Sequence, residues 1–255
     1  MNVFPTRRFV QPWRRHFLVW RKTFAASLMG SLGEPLLYLL GLGYGLGKFI
    51  GEVEGVPYLF YLAAGILAGN SMNAATFEAL YGGFTRMTRQ YTFHAMLATP
   101  LSVADVVAGE IAWAASKSLI SGSAIYLVGV GLGIFSPWQG LAALPVVFLS
   151  GLVFASLAMT VTAISPNYEF FMYYFTLVTT PMFLFCGVFF PADGLPQAVQ
   201  GVVQLLPLSH VAALIRPLSA GVVPEDAWMH LSALAGYFVV AGSLAVRLVQ
   251  RRMVR

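Results

Sequence analysis

Six stretches of this chain, residues 24–47, 58–81, 111–135, 140–165, 168–190 and 227–247, each run for more than 20 residues with at most one Asp, Glu, Lys or Arg. A hydrocarbon layer about 30 Å thick is crossed by about 20 apolar residues in a helix, the one single-segment structure that satisfies its own backbone in lipid. The pattern predicts an all-α polytopic membrane protein with six transmembrane helices. Composition agrees: 58% of residues are hydrophobic and 10% charged, against about 25% charged in soluble domains. The remaining residues suffice for loops but not for a second domain of about 100 residues. One transmembrane domain over residues 1–255 is expected, with any energy-converting domain on another chain.

The net charge of +5 takes its meaning from position. With the first loop outside, twelve of the fifteen basic residues fall inside: Arg7, Arg8, Arg14, Arg15, Arg21, Lys22, Arg86, Arg89, Arg247, Arg251, Arg252 and Arg255. Lys48 and Arg216 fall outside and Lys117 within a span. Positive charge gathers on the cytoplasmic side of membrane proteins, so both termini are expected there, in a multi-pass protein of the cell inner membrane. The basic balance is a topology signal, and no nucleic-acid partner is expected. The first apolar run is too long for a cleavable signal peptide and should remain as a span.

Three segments between the runs carry their own helical patterns. In residues 1–23, Phe9, Trp13, Phe17 and Trp20 mark one stripe of an amphipathic helix, continued by Phe24, with Arg14, Arg15, Arg21 and Lys22 beside it. Such a helix lies flat on the inner leaflet, either as an anchor or as a connection to a cytoplasmic partner. In the inner segment 82–110, Phe93, Met96, Leu97 and Leu101 share a helix face, and Pro100 disfavours helix at Thr99. Ser102 and Asp105 then have the spacing of a capping box that starts the next helix. This helix, break, helix unit is an interfacial anchor or a docking surface. In the outer segment 191–226, two apolar stretches too short to cross flank Pro207 and are expected to form a re-entrant helical hairpin that caps a pathway.

Polar groups within spans are expensive and mark pathways or partner helices. Pathway candidates are Glu34, which precedes a kinking Pro35, Asn70, Asn73, Phe77 and Glu78 in the second run, and Phe171, Tyr174, Thr176, Thr179 and Thr180 in the fifth. The aromatic and hydroxyl groups of the fifth run suit an amphiphile, or form an interfacial belt. Glu34 is expected to be paired or to face protein, and Lys117 to snorkel to the inner interface. Outer gate candidates are Phe189, Phe190, Pro191, Pro207 and His210. Paired glycines such as Gly41 and Gly45, or Gly65 and Gly69, offer faces for close helix packing that permit a dimer.

Catalytic chemistry is sparse. Leu42 stands where a nucleotide-binding loop needs its first glycine and Phe49 where it needs Ser or Thr, so no Walker A pattern exists. The four histidines are scattered, the single cysteine excludes an intramolecular disulfide, and no metal-ligand spacing occurs. The chain is not expected to be an enzyme or to hold a cofactor itself.

The stretch YTFHAMLATPLSVADVVAGE, with Leu97, Thr99, Pro100, Leu101, Gly109 and Glu110, resembles the cytoplasmic segment of permease subunits of type-2 ABC exporters, particularly the nodulation protein J group. A second stretch, PMFLFCGVFFPADGLPQAVQGVVQLLPLSHVAALIRPL, is similar to their outer re-entrant element, with Cys186 in place of the usual Ser. His94 replaces an acidic residue common in relatives. The resemblance implies a homodimer of six-span subunits and a separate ABC ATPase that carries ATP and Mg. Phe93, His94, Met96, Leu97, Thr99, Pro100 and Leu101 would then form the coupling helix. It further implies export of a lipid-linked, glycolipid or amphiphilic substrate along the second and fifth spans. The residues alone also allow an ion-coupled secondary transporter or channel that uses Glu34, Glu78 and Lys117.

Overall fold

The computed structural model describes residues 5–253. Arg255, assigned above to the inner side, and residues 1–4 of the amphipathic segment lie outside the described residues. Helix α1 (Val10–Trp20) follows a tight turn at Arg7–Phe9 and passes through a second, Arg21–Thr23, into α2 (Phe24–Tyr38). The helical path therefore extends over Arg7–Ile50, 44 residues, with only one tightened turn where a separate interfacial helix was expected to end. No Pro or Gly stands at 21–23 to break it. Inside α2, Pro35 lacks an N–H and crowds the carbonyl one turn back; the next turn, Leu39–Tyr44, widens before α3 (Gly45–Ile50). A two-residue ribbon, β1 (Glu52–Val53) with β2 (Val56–Pro57), pairs antiparallel at the loop. Glu54 (φ 53°) and Gly55 (φ 75°) supply the two left-handed residues that such a tight hairpin needs.

Helix α4 (Tyr58–Phe77) continues in wide turns at Glu78–Gly82 and Thr85–Arg89. It overruns residue 82, where the inner segment was expected to begin, and ends at Tyr91, whose φ of 53° reverses the chain. The short α5 (Thr92–Leu97) follows, then the break at Pro100, then α6 (Val103–Gly131). The capping box forms as read: Ser102 Oγ accepts from the Asp105 N–H at 3.1 Å, and Asp105 Oδ2 accepts from the Ser102 N–H at 3.0 Å. Helix α7 (Ala143–Ile164) ends at Ser165, where Arg252 from the last helix donates to three orphan carbonyls, Thr162, Ala163 and Ser165, at 2.7–3.1 Å.

The fifth apolar run is shorter as a helix than as a sequence. It comprises α8 (Phe170–Tyr174), a wide turn before Pro181, and α9 (Thr180–Phe185), and then leaves helix at residues 186–190, with Gly187 at φ 78°. Helices α10 (Gln197–Leu205) and α11 (Pro207–Ser219) meet at 82°, an elbow at Pro207 rather than a closed hairpin. The last helix is α12 (Ala227–Met253). Among the described residues, four helices can cross a membrane by length and apolar character, Arg7–Ile50, Val103–Gly131, Gln139–Ile164 and Ala227–Met253, or five with the bent pair. The second run is long enough, but Asn70, Ser71 and Asn73 dilute its apolar character, and the 16-residue Phe170–Phe185 reaches only about 24 Å at 1.5 Å per residue.

Helices α4, α6 and α7 form the centre, with α12 against α7, α11 across α4 and α7, and α1 along α6. Small hydroxyls tie the three central helices together. Asn70 Nδ2 donates to Ser121 Oγ at 2.9 Å, the Ser71 and Ser150 hydroxyls lie 2.6 Å apart, and Ser118 Oγ donates to the Ser71 carbonyl at 2.8 Å. Such bonds and close-packed small residues hold helices together where lipid provides no hydrophobic drive.

Candidate cavity and buried charge cluster

A cavity of about 960 Å³ opens between α2, α4 and the α8–α9 path. Three consequences of local sequence shape it. The kink at Pro35 bends α2, the glycines of α4 admit the returning chain, and the wide turn before Pro181 bends the fifth helix. A Cβ at Gly65 would lie 2.2 Å from the Val188 carbonyl oxygen and one at Gly69 would lie 2.2 Å from Phe183 Cε2. These two glycines seat residues 183–188 of their own chain and are not open for a dimer, whereas Gly41 and Gly45 face open space. Tyr38, Phe183 and Phe189 then form an aromatic cluster, with ring centroids 5.1–6.1 Å apart.

Of the pathway candidates, Glu34, Asn70, Asn73, Phe77, Thr179 and Thr180 line this cavity, as do the gate candidates Phe189 and Phe190. Of the two expectations for Glu34, pairing or facing protein, it forms no ion pair among the described residues and instead lines this cavity between helices. Other candidates lie elsewhere. Phe171 is fully buried beneath Tyr81 and Phe84, Tyr174 is half-buried away from the cavity, and Thr176 is exposed on another face of the wide turn. Pro191 precedes the turn Ala192–Gly194, Pro207 is buried at the elbow, and His210 meets His230 with Nδ1 atoms 2.9 Å apart. The histidines are thus not all scattered: α11 and α12 bring two together from 20 residues apart.

Lys117 corrects its expected role. It lines the cavity, but its Nζ donates to Glu78 Oε2 at 2.9 Å instead of reaching for the interface. Glu78 is turned from the cavity into a buried cluster, where it also takes Trp113 Nε1–H at 3.0 Å and lies 2.9 Å from Arg86 Nη1. Arg86 grips Glu110 with two nitrogens, Nε at 3.0 Å and Nη2 at 2.6 Å. His16 Nε2 of α1 lies 2.9 Å from Glu110 Oε1, close but not aligned as a hydrogen bond. Burying charges this deeply is tolerable only when each has an opposite partner. The cluster alternates in sign along Lys117, Glu78, Arg86 and Glu110, joining α1, α4 and α6. Sequence reading missed Arg86, Glu110, Trp113 and His16 as a unit. The available signal was the two-turn spacing of Glu78 with Arg86 and of Glu110 with Lys117.

The helix, break, helix unit around Pro100 is held by the same end of the chain. Thr6 N–H and Oγ1–H donate to Asp105 Oδ1 at 2.6 and 2.9 Å, and Arg8 Nη1 donates to the Pro100 carbonyl at 2.6 Å. Trp13 Nε1 donates to Ser116 Oγ, and Pro12 packs where any Cβ at Gly109 would intrude. On α5, Phe93 and Met96 are buried and Leu97 is half-buried, as is Leu101 beyond the break, so the apolar stripe expected as an interfacial anchor or a docking surface packs into the protein. The exposed face carries His94, Ala98, Thr99 and Pro100.

Comparison with known proteins agrees with this architecture. Residues 7–218 match the family described as ABC-2 type transporter, ABC2_membrane. The chain is 47% identical over 248 residues to Nodulation protein J of Rhizobium leguminosarum bv. trifolii, covering 97% of this chain and 94% of that one. It is 46% identical to Nodulation protein J of Rhizobium meliloti (strain 1021), covering 96% and 94%, and 44% identical to that of Sinorhizobium fredii (strain NBRC 101917 / NGR234), again covering 96% and 94%. Long apolar helices, a cavity between them and identity this high over nearly the whole length lead to one conclusion: this integral membrane protein belongs to the ABC-2 type transporter family, as a permease subunit of the nodulation protein J group.

Proposed function

We propose that the chain is the membrane half of an ATP-driven exporter for a lipid-linked, glycolipid or other amphiphilic substrate. Two copies, each with six spans and both termini cytoplasmic, sit in the cell inner membrane and bind separate ABC ATPase subunits, which hold ATP and Mg. The exposed face of α5 and the turn through Thr99 and Pro100 form the coupling surface. Residues 1–23 brace it, residues 82–110 carry it, and the elbow in residues 191–226 closes the outer end. The observation that carries this reading is the cavity, whose walls set aromatic rings beside amide, hydroxyl and charged groups. Such walls suit a molecule with a greasy and a polar end. ATP-driven movement at the coupling surface shifts the helix pair α4 and α6 between two arrangements and changes access to the cavity.

Glu78 and Lys117 neutralise one another within the cluster, which disfavours the ion-coupled reading that needs both free. The test is reconstitution of the chain with its cognate ATPase in proteoliposomes and measurement of ATP-dependent movement of a fluorescent amphiphile. Movement without the ATPase, driven by an ion gradient, would reverse the assignment.

A further inference from the structure

Lys117 is the single cationic side chain lining the cavity among the described residues, and it is the most exposed member of the charge cluster. Its side chain is 22% exposed, against 13% for Arg86, 11% for Glu78 and 0% for Glu110. Its partner does not depend on it. Without Lys117, Glu78 would keep Arg86 Nη1 at 2.9 Å and Trp113 Nε1 at 3.0 Å, a guanidinium shared with Glu110 and one neutral donor. A carboxylate left with those two is still satisfied, whereas a carboxylate stripped of all donors would not be. Lys117 is therefore the exchangeable member, with four rotatable bonds and three donors on an ammonium that can turn from the cluster into the cavity. Asn70 and Asn73 add amide groups to the wall, and Phe77, Phe175 and Phe183 supply apolar rings for a tail.

We propose that Lys117 is an anion-docking subsite of the cavity, where the ammonium takes a phosphate, sulfate or carboxylate group of an amphiphile whose chain lies along the aromatic wall. The proposal rests on the reading of the cavity as the substrate site. Glu34 on α2 bears the cavity's one negative charge among its lining residues, so the fit is to a headgroup that keeps its anion at the α6 side and offers hydroxyl or amine donors toward α2. Exchange of Lys117 from Glu78 to the bound anion would also report occupancy to the cluster, because Glu78 is shared with Arg86.

The experiment is equilibrium binding of labelled dodecyl phosphate, dodecyl maltoside and inorganic phosphate to the full chain in phosphatidylcholine nanodiscs, with protein-free discs as background. Dodecyl phosphate should bind about tenfold more tightly than dodecyl maltoside, a difference of the size one charge-assisted contact provides. Lys117→Gln should erase that preference while maltoside binding changes less than twofold, and Lys117→Arg should restore it. If both amphiphiles bind equally, or the preference survives in Lys117→Gln, the Lys117 subsite is wrong and the cavity reading stands. If neither amphiphile binds the unmodified protein, both are wrong. Inorganic phosphate binding as tightly as dodecyl phosphate would overturn the amphiphile specificity. The unmodified protein decides these last two arms, and normal thermal unfolding of Lys117→Gln is required before its arm is read.

Discussion

Arg86 and Glu110 face each other where the path of α4 runs beside the start of α6, as a two-nitrogen pair, and the carboxylate is wholly buried. Because Glu78 also leans on Arg86, one guanidinium is shared by two acids. Among the described residues, Arg86→Ala would leave Glu78 and Glu110 with Lys117 as the only full cation at the cluster, since His16 carries charge only when protonated. Removing one partner of a buried pair costs about 3–5 kcal/mol. Urea or thermal unfolding of the purified chain in detergent should show a loss of that size. A change under about 1 kcal/mol would mean that the cluster is solvated and structurally unimportant.

The two faces of α5 should separate in mutagenesis. Phe93 is fully buried, so Phe93→Ala should destabilise the chain by about 3–5 kcal/mol. Ala98→Arg and Thr99→Arg sit on the exposed face and should leave unfolding within about 0.5 kcal/mol of the parent. Yet they should abolish co-purification of the ATPase. Normal co-purification of the exposed-face variants would reject α5 as the coupling surface.

Glu34 lines the cavity without an ionic partner among the described residues, so its carboxylate is available to substrate. Glu34→Gln keeps the size and removes the charge. Transport in proteoliposomes should fall about tenfold, the loss expected for one charged hydrogen bond, with dimer and ATPase association intact. Unchanged transport would make Glu34 a bystander of the wall.

Glycine substitutions in two places should differ in sign of importance. Gly65→Ala drives a Cβ into the backbone carbonyl of Val188, which cannot rotate away, and should cost about 1–3 kcal/mol. Gly41→Ala meets nothing within 4 Å and should shift stability by less than about 1 kcal/mol. Thermal unfolding of the two variants side by side measures the contrast. If Gly41→Ala instead disrupts a crosslinked dimer, that open face is where the second copy sits.

Much of the architecture was legible from the residues. The apolar runs mark the helices, and Ser102 with Asp105 marks the start of α6. The cavity was legible in part: Glu34, Asn70, Asn73, Thr179 and Thr180 lie on it, as their cost within apolar helices foretold. Phe171 and Tyr174 share the same stretch but face elsewhere, because the wide turn at Phe175–Thr179 shifts the helical phase that a 3.6-residue period assumes. In sequence, Phe93 and Met96 fit an interfacial anchor or a docking surface, because an amphipathic stripe looks the same whether its apolar side meets lipid, a partner or its own core.

By itself the amino-acid order determined that this chain lies in a membrane, is helical over most of its apolar runs, and breaks at Pro100 and Pro207. Those outcomes follow from transfer free energy and from backbone sterics, which act within a few neighbouring residues. Only the packed structure decided that Lys117 turns to Glu78, that Arg86 serves both Glu78 and Glu110, and that His210 meets His230. These pairings join groups 8 to 39 positions apart. Most depend on which helix lies against which and at what rotation, and a one-dimensional pattern of hydrophobicity leaves both free.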